Sequence, residues 1–141
     1  MPWLRNLARG VLGGFLIFAG TAHLTFARDE FDAQVPGWVP LDTGFVVVAS
    51  GVVEIVLGVA LLALYRHKVL MGWIVAAFFV AVFPGNIAQY VDHRDAFGLD
   101  TDTGRLIRLF FQPLLIAWAL WCTGAWAALR RRRTRDDRAV V

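Results

Sequence analysis

The stretch GFVVVASGVVEIVLGVALLAL, residues 44–64, is apolar over the length of a membrane-spanning helix except for one acid, Glu54. At about 1.5 Å per helical residue, Glu54 lies roughly 15 Å from either end, in the middle of a hydrocarbon core about 30 Å thick. An acid at that depth costs about 2.5 to 3.5 kcal/mol, so it should be neutral and should face other helices or water. We therefore expect residues 44–64 to form the central helix of a membrane bundle, with Glu54 pointing inward.

Small residues lie on the same face of this helix as the acid. Ser50 is one turn from Glu54, and Gly51 and Gly58 stand three residues before it and four residues after it. Gly44 extends the glycine spacing of seven residues toward the start of the helix. Because small side chains let helix backbones approach each other in a membrane, this face is predicted to be a close-packing face.

The composition is that of a membrane protein throughout. Of 141 residues, 58% are hydrophobic and 18% are charged, which is far more apolar than a soluble domain of this size needs. We expect one membrane domain over residues 1–129 and a basic tail over residues 130–141. Although the net charge is +3, the basic residues lie at segment ends and in the tail rather than on a patterned face, which disfavours nucleic-acid binding. The single cysteine, Cys122, excludes an intramolecular disulfide and a CxxC relay.

The apolar segments predict the fold class, an all-α integral membrane protein with a four-transmembrane-helix bundle. The first segment would also suit a secretory signal, but three further spans follow it, which favours a membrane helix. Between the first two spans, VPGWVP at residues 35–40 contains two prolines that exclude a regular helix, and we expect a short cap across the bundle mouth. The predicted spans are residues 10–27, 43–65, 69–91 and 108–129.

The distribution of charge predicts the orientation of the bundle. Ten of the 14 Lys and Arg residues lie in the N-terminal lead, the turn at Arg66 and the tail. Eight of the 11 acids lie in the two remaining loops. Basic residues are retained on the cytoplasmic side, so both termini are predicted to be cytoplasmic, with the protein multi-pass in a plasma membrane. The Arg-rich tail is expected to bind anionic lipid and to end in disorder.

With that orientation, the polar residues inside the spans fall in the outer half of the membrane. Asn86 and Gln89 share a helix stripe, as do Arg105, Arg108 and Gln112. Pro84 removes a backbone donor and frees the carbonyl of Val80, which should loosen the third span. We expect a polar funnel from the outer surface to the midplane, and its candidate ligand-binding residues are His23, Ser50, Glu54, Asn86, Gln89, Arg108 and Gln112.

Five motifs in order along the chain resemble those of the DoxX family of small bacterial membrane proteins. They are AGTAHL at 19–24, VPGWVP at 35–40, SGVVEIVLG at 50–58, FPGNIAQ at 83–89 and RLFFQPLLIAWALW at 108–121. The resemblance implies a four-helix bundle in the bacterial plasma membrane and a relation to DoxD, the membrane subunit of thiosulfate:quinone oxidoreductase. Some relatives are associated with thiol and oxidative-stress handling. Gln89 adds a polar group that the family pattern does not require.

One hypothesis is that the chain is a quinone-interacting membrane subunit of a redox or oxidative-stress-related complex. His23 and Arg108 would bond the quinone oxygens, and Glu54 with His23 would exchange the accompanying proton. The sequence has no GxGxxG, no CxxC and no metal-ligand cluster, so we expect no metal or covalent cofactor, and the electrons would come from a partner subunit. The chain would then be at most the membrane subunit of a quinone-linked oxidoreductase.

The alternative hypothesis is a non-catalytic scaffold or accessory subunit that binds a protein partner or a second copy of itself. In that case the polar residues only fix the packing of the helices, as polar groups in membrane spans often do. A solute channel is disfavoured, because the inner half of the spans lacks the polar groups that a continuous pore requires. The grouping of the polar residues at one depth favours a ligand site over packing alone.

Overall fold

The computed structural model describes residues 2–26, 35–93 and 101–140. These residues form five α-helices and one 3₁₀ turn, with no strand in the described part of the chain. The elements are α1 (Pro2–Leu24), α2 (Thr43–Ala63), the 3₁₀ turn (Tyr65–His67), α3 (Lys68–Val91), α4 (Asp102–Cys122) and α5 (Ala125–Ala139). The first four helices are long and apolar enough to cross a membrane, which confirms the all-α class and the four membrane-length helices.

The helix ends differ most from the predicted spans at the start of α1 and at both ends of the fourth helix. The basic lead is helical, so α1 begins at Pro2 rather than at residue 10, and residue 27 of the predicted first span lies outside the described residues. The fourth helix begins six residues before residue 108, because the Thr101 hydroxyl caps it by accepting a bond from the Gly104 N–H at 3.1 Å. It ends at Cys122 rather than at residue 129, because Gly124 adopts a left-handed φ of 76° that stops the helix.

The first two helices pack backbone to backbone through facing glycines. A Cβ built on Gly20 would lie 2.5 Å from the carbonyl oxygen of Gly51, and one on Gly58 would lie 2.7 Å from that of Gly13. No Cβ fits at such distances, so larger residues would force the two helices apart. The glycine spacing of seven residues seen in α2 is thus matched by an equal spacing in α1.

The bundle is built from two helix pairs rather than around a central helix. The α1–α2 pair and the α3–α4 pair are each closely packed, whereas α2 contacts α3 only loosely. The expectation that residues 44–64 form the centre of the bundle is therefore wrong, because the glycine face of α2 is used by α1. The two pairs meet in an apolar core in the half of the bundle that contains the start of α1 and the end of α4. Its buried members are Leu12, Leu16, Leu57, Leu61, Met71, Val75, Phe79, Ala119 and Cys122.

A buried arginine joins the two helices at this same end. The Arg9 Nη1 atom donates to the carbonyl of Leu61, and its guanidinium lies 5.0 Å from the centre of the Tyr65 ring. This carbonyl belongs to the last turn of α2, where no intrahelical donor remains and a positive charge is favoured. Nearby, the Trp118 indole donates to the carbonyl of Ala8 at 3.1 Å, which ties α4 to α1.

The chain after Gly124 forms a separate helix and not the disordered end that was expected. The first residue of α5, Ala125, is buried against Ala76 and Leu120. From Leu129 onward every described residue is exposed, and the helix continues to Ala139. The α5 helix is therefore anchored to the bundle by its first turn and extends freely from it.

Candidate functional site

A cavity of about 670 Å³ lies between the two helix pairs, in the half of the bundle away from the apolar core. Its volume falls in the range of sites that bind small organic molecules, roughly 300 to 1,000 Å³. All four membrane-length helices and the segment 35–39 contribute to its walls. The aromatic members of the lining are Phe15, Phe18, Phe26, Trp38, Phe78 and Phe79, and the polar members are His23, Ser50, Glu54, Asn86, Arg108 and Gln112.

Six of the seven residues predicted from the sequence to bind a ligand line this one cavity. The exception is Gln89, which is buried but is not part of the lining. It lies one turn after Asn86 on the shared stripe, toward the end of α3 and beyond the cavity. The proposed chemical roles of all seven remain predictions, whereas the proximity of the six is a property of the fold.

The imidazole of His23 and the carboxyl of Glu54 are in contact. Nδ1 of His23 lies 2.9 Å from Oε2 of Glu54, and both side chains are about one-tenth exposed, at 10% and 11%. The same Nδ1 lies 2.8 Å from the carbonyl oxygen of Ala19. A carbonyl oxygen can only accept, so we assign the ring proton to Nδ1, which leaves Nε2 as the acceptor in a neutral ring.

The contact between these two residues is electrostatic rather than a well-directed hydrogen bond. The Nδ1 proton is directed at the Ala19 carbonyl, and Oε2 of Glu54 has no hydrogen-bond partner within the described ranges. An imidazole and a carboxyl in contact are groups that can pass a proton between them or to a bound ligand. A buried oxygen without a donor is also a position where a ligand hydroxyl would be stabilised.

Arg108 adds a buried donor to the same cavity. Its Nη1 atom is inaccessible to solvent and has no hydrogen-bond partner among residues 2–26, 35–93 and 101–140. A buried donor without a partner destabilises a protein by about 1 to 3 kcal/mol, and by more if the group is charged. A ligand that supplies an acceptor to this donor would remove that penalty on binding. Glu54 and Arg108 therefore present an acceptor and a donor to one space.

Asn86 and Gln112, in contrast, form a hydrogen bond with each other. The Asn86 amide donates to Oε1 of Gln112 at 3.1 Å, and the Gln112 amide donates to the carbonyl of Phe79 at 2.7 Å. This carbonyl directly precedes that of Val80, which Pro84 was predicted to free. The proline of the fourth helix, Pro113, was not predicted to matter, although it also removes a backbone donor at this level.

Part of the cavity lining is exposed on the outside of the bundle, where lipid would cover it in a membrane. Phe15 and Phe18 of α1 and Ala81 of α3 are both lining residues and exposed. These aromatic residues were not predicted, although Phe15 and Phe18 lie about one turn apart on α1 and Phe26 follows the end of that helix. Residues 35–39 cover the cavity at the predicted position of the cap, and the preceding residues 28–34 of that connection lie outside the described residues.

Arg105 does not act with Arg108 and Gln112, although the sequence places the three residues on one stripe of their helix. It is buried, and its Nη1 lies 2.8 Å from Oδ1 of Asp102, which is also 2.6 Å from Nδ1 of His93. This cluster connects the end of α3 to the start of α4 above the cavity. Arg105 is not one of the residues that line the cavity.

Comparison with known proteins gives a family but no activity. The model of a family described as a domain of unknown function, DUF8561, matches residues 12–123 of the chain. The matched range contains every residue that lines the cavity. No curated protein and no solved structure matches the chain.

Proposed function

We propose that this chain, which belongs to the DUF8561 family, is a quinone-binding membrane subunit of a redox complex. The observation that carries the proposal is one cavity that combines aromatic walls with the His23–Glu54 contact and the unbonded Arg108 donor. Ligand sites typically have this character, a mostly apolar wall and a few convergent polar groups.

The lining of the cavity suits a flat, lipid-soluble ring. Phe78 and Phe79 supply apolar and aromatic surface against which a ring can pack. The buried Nη1 of Arg108 would donate to a quinone carbonyl oxygen, and an apolar tail would leave between the exposed Phe15 and Ala81 into lipid. A water-soluble substrate would have no need of an opening on that side.

The two predicted catalytic residues supply the proton chemistry. Reduction of a quinone takes up two electrons and two protons, and the electrons would come from a redox group on a partner subunit. Glu54 and His23, whose side chains are in contact, would deliver the two protons to the quinone oxygens one after the other. In the reverse direction, the oxidation of a hydroquinone, the same pair would take up the two protons and the electrons would pass to the partner subunit.

The resemblance to DoxX motifs supports the same proposal. The motif AGTAHL contains His23, and the motif SGVVEIVLG contains Glu54. The two motifs are in contact where Gly20 packs against Gly51. We propose on these grounds that the protein is DoxX-like and resides in a bacterial plasma membrane.

The orientation is proposed from the charge distribution, with both termini in the cytoplasm. The Arg9, Lys68 and α5 charges are at the end of the bundle where α1 begins, and basic residues favour the cytoplasmic side. The cavity would then open in the outer half of the membrane, near the quinone pool of that leaflet.

A membrane scaffold is the second candidate, and one observation favours it. Asn86, Gln112 and the Phe79 carbonyl bond one another across α3 and α4, so they can serve as packing groups without any ligand. A scaffold role does not explain why Oε2 of Glu54 and Nη1 of Arg108 are buried without hydrogen-bond partners in the described part of the chain.

Native mass spectrometry of the gently extracted protein tests the proposal by detecting bound quinone and co-purifying subunits together. We expect wild-type protein to retain quinone and Arg108→Gln to lose most of it. Arg105→Gln is the matched control, since it removes the same charge one turn away, outside the cavity lining. Absence of quinone from the wild type, or equal retention in both variants, would leave the scaffold as the better account.

A further inference from the structure

The exposed helix α5 carries a strip of arginines along one side. Arg130, Arg131, Arg135 and Arg138 surround a shallow depression together with Thr134, and we call these four arginines the basic stripe. In a helix of 3.6 residues per turn, residues 131, 135 and 138 fall on one face. Every one of these side chains is exposed.

The acids of the same helix lie on its other side. At about 100° per residue, Asp136 and Asp137 lie away from the face shared by Arg131, Arg135 and Arg138. No salt bridge joins either aspartate to an arginine of α5 in the part of the chain that the structure describes. The stripe therefore presents positive charge that the helix itself does not neutralise.

The position of the stripe is fixed by the first turn of α5. Ala125 is buried against α3 and α4, directly after the turn at Gly124 that ends the fourth membrane-length helix. The helix has 15 residues and is about 22 Å long, so the whole stripe stays within that distance of the end of the span. Trp126 is exposed there, with the Arg130 guanidinium 5.7 Å from its ring centre. Exposed tryptophans at the ends of spans characteristically lie at the headgroup level.

We propose that the basic stripe of α5 binds the phosphate groups of anionic phospholipids in the leaflet on the side of the two termini. Guanidinium groups bind phosphate with paired hydrogen bonds, and Arg131, Arg135 and Arg138 present theirs on one face of the helix. The tether at Ala125 holds the stripe next to the headgroups, so the lipid is the phosphate source at the highest local concentration. This proposal is independent of the cavity and of any quinone.

The test measures lipid preference of the full-length protein in nanodiscs that contain phosphatidylglycerol and phosphatidylcholine in known proportions. The readout is the phosphatidylglycerol retained per chain by native mass spectrometry after limited delipidation, at low and at physiological salt. Arg131→Gln/Arg135→Gln removes two members of the stripe. Arg132→Gln/Arg133→Gln removes two neighbouring charges that do not border the depression, and serves as the matched control.

We expect the stripe variant to lose about fivefold in apparent phosphatidylglycerol affinity for each arginine removed, and the control to lose less. The preference should also weaken as salt rises, because the stripe is exposed. Equal losses of phosphatidylglycerol affinity in the two variants would overturn the stripe as a binding site, because the net charge of the helix would then explain the lipid preference. Binding of single-stranded RNA by the wild type, without any preference for phosphatidylglycerol over phosphatidylcholine, would overturn the lipid as its partner.

Discussion

Gly20 and Gly51 face each other so closely that a methyl group on Gly20 would lie 2.5 Å from the carbonyl oxygen of Gly51. A Cβ on Gly51 would in turn lie 2.7 Å from the Cβ of His23. The close approach of the two backbones is therefore also what holds the imidazole of His23 beside the carboxyl of Glu54. Helix packing and the geometry of the candidate site depend on the same glycines.

Gly20→Ala should destabilise the protein by about 1 to 3 kcal/mol, because the new methyl group must push α2 away. The matched control is Gly14→Ala in the same helix, where a Cβ would meet nothing within 4 Å. That control should be neutral or slightly stabilising, since alanine is the better helix former. Unfolding in a mixed detergent titration measures both, and similar stabilities for the two variants would contradict the close packing of α1 on α2.

The bond between Asn86 and Gln112 should appear as a coupling energy in a double-mutant cycle. Asn86→Ala and Gln112→Ala each remove one partner of a 3.1 Å hydrogen bond between α3 and α4. Interhelical hydrogen bonds in membranes contribute about 0.6 kcal/mol on average and up to about 1.7 kcal/mol, so we expect a coupling in that range. Strictly additive single-variant effects would show that the two amides do not interact.

Arg9→Gln should destabilise the protein by about 1 to 3 kcal/mol, because it removes the donor to the last carbonyls of α2 and the cation over Tyr65. Arg5→Gln removes the same charge one turn earlier in α1, where the described residues offer the arginine no hydrogen bond, and should change stability by less than about 0.5 kcal/mol. Thermal unfolding in detergent compares the two. A larger loss for the Arg5 variant would contradict the capping role of Arg9.

Two substitutions of Glu54 separate proton chemistry from packing. Glu54→Gln keeps the size of the side chain but cannot hold a proton for His23, so quinone-linked turnover of the native complex should fall on the order of 100-fold with stability nearly unchanged. Glu54→Leu should lower turnover equally and alter the packing around His23 as well. Full turnover in the Glu54→Gln variant would assign the carboxyl to helix packing alone.

The spans could be predicted from hydropathy, and the grouping of the polar residues could be predicted from their depth in the membrane. The apolar length of residues 44–64 predicts a span without any knowledge of its neighbours, and the depth of a polar residue follows from its distance to the helix end. His23, Glu54 and Arg108 could be grouped in this way before their contacts were known. Depth cannot separate Gln89 from Asn86, because a difference of one turn decides which of them reaches the cavity.

Other features depend on tertiary contacts that periodicity does not encode. The pairing of α1 with α2 depends on glycines in both helices, but the sequence predicted a close-packing face only for the glycines of α2. The end of the fourth helix depends on a single left-handed residue, Gly124, within an otherwise apolar stretch. The burial of Arg9 could not be predicted, because a basic residue near a span end is normally assigned to the membrane surface.

The most direct test of the cavity as a quinone site is photolabelling with an azido-quinone analogue in native membranes, followed by peptide mapping. We expect the label to fall on the α1 and α3 residues of the cavity, around Phe18 and Phe79, and to be displaced by excess unlabelled quinone. Arg108→Gln should reduce this labelling, and Arg105→Gln should not. Label that is absent, or that falls instead on the exposed Phe110 and Phe111 of α4 outside the cavity, would contradict this expectation.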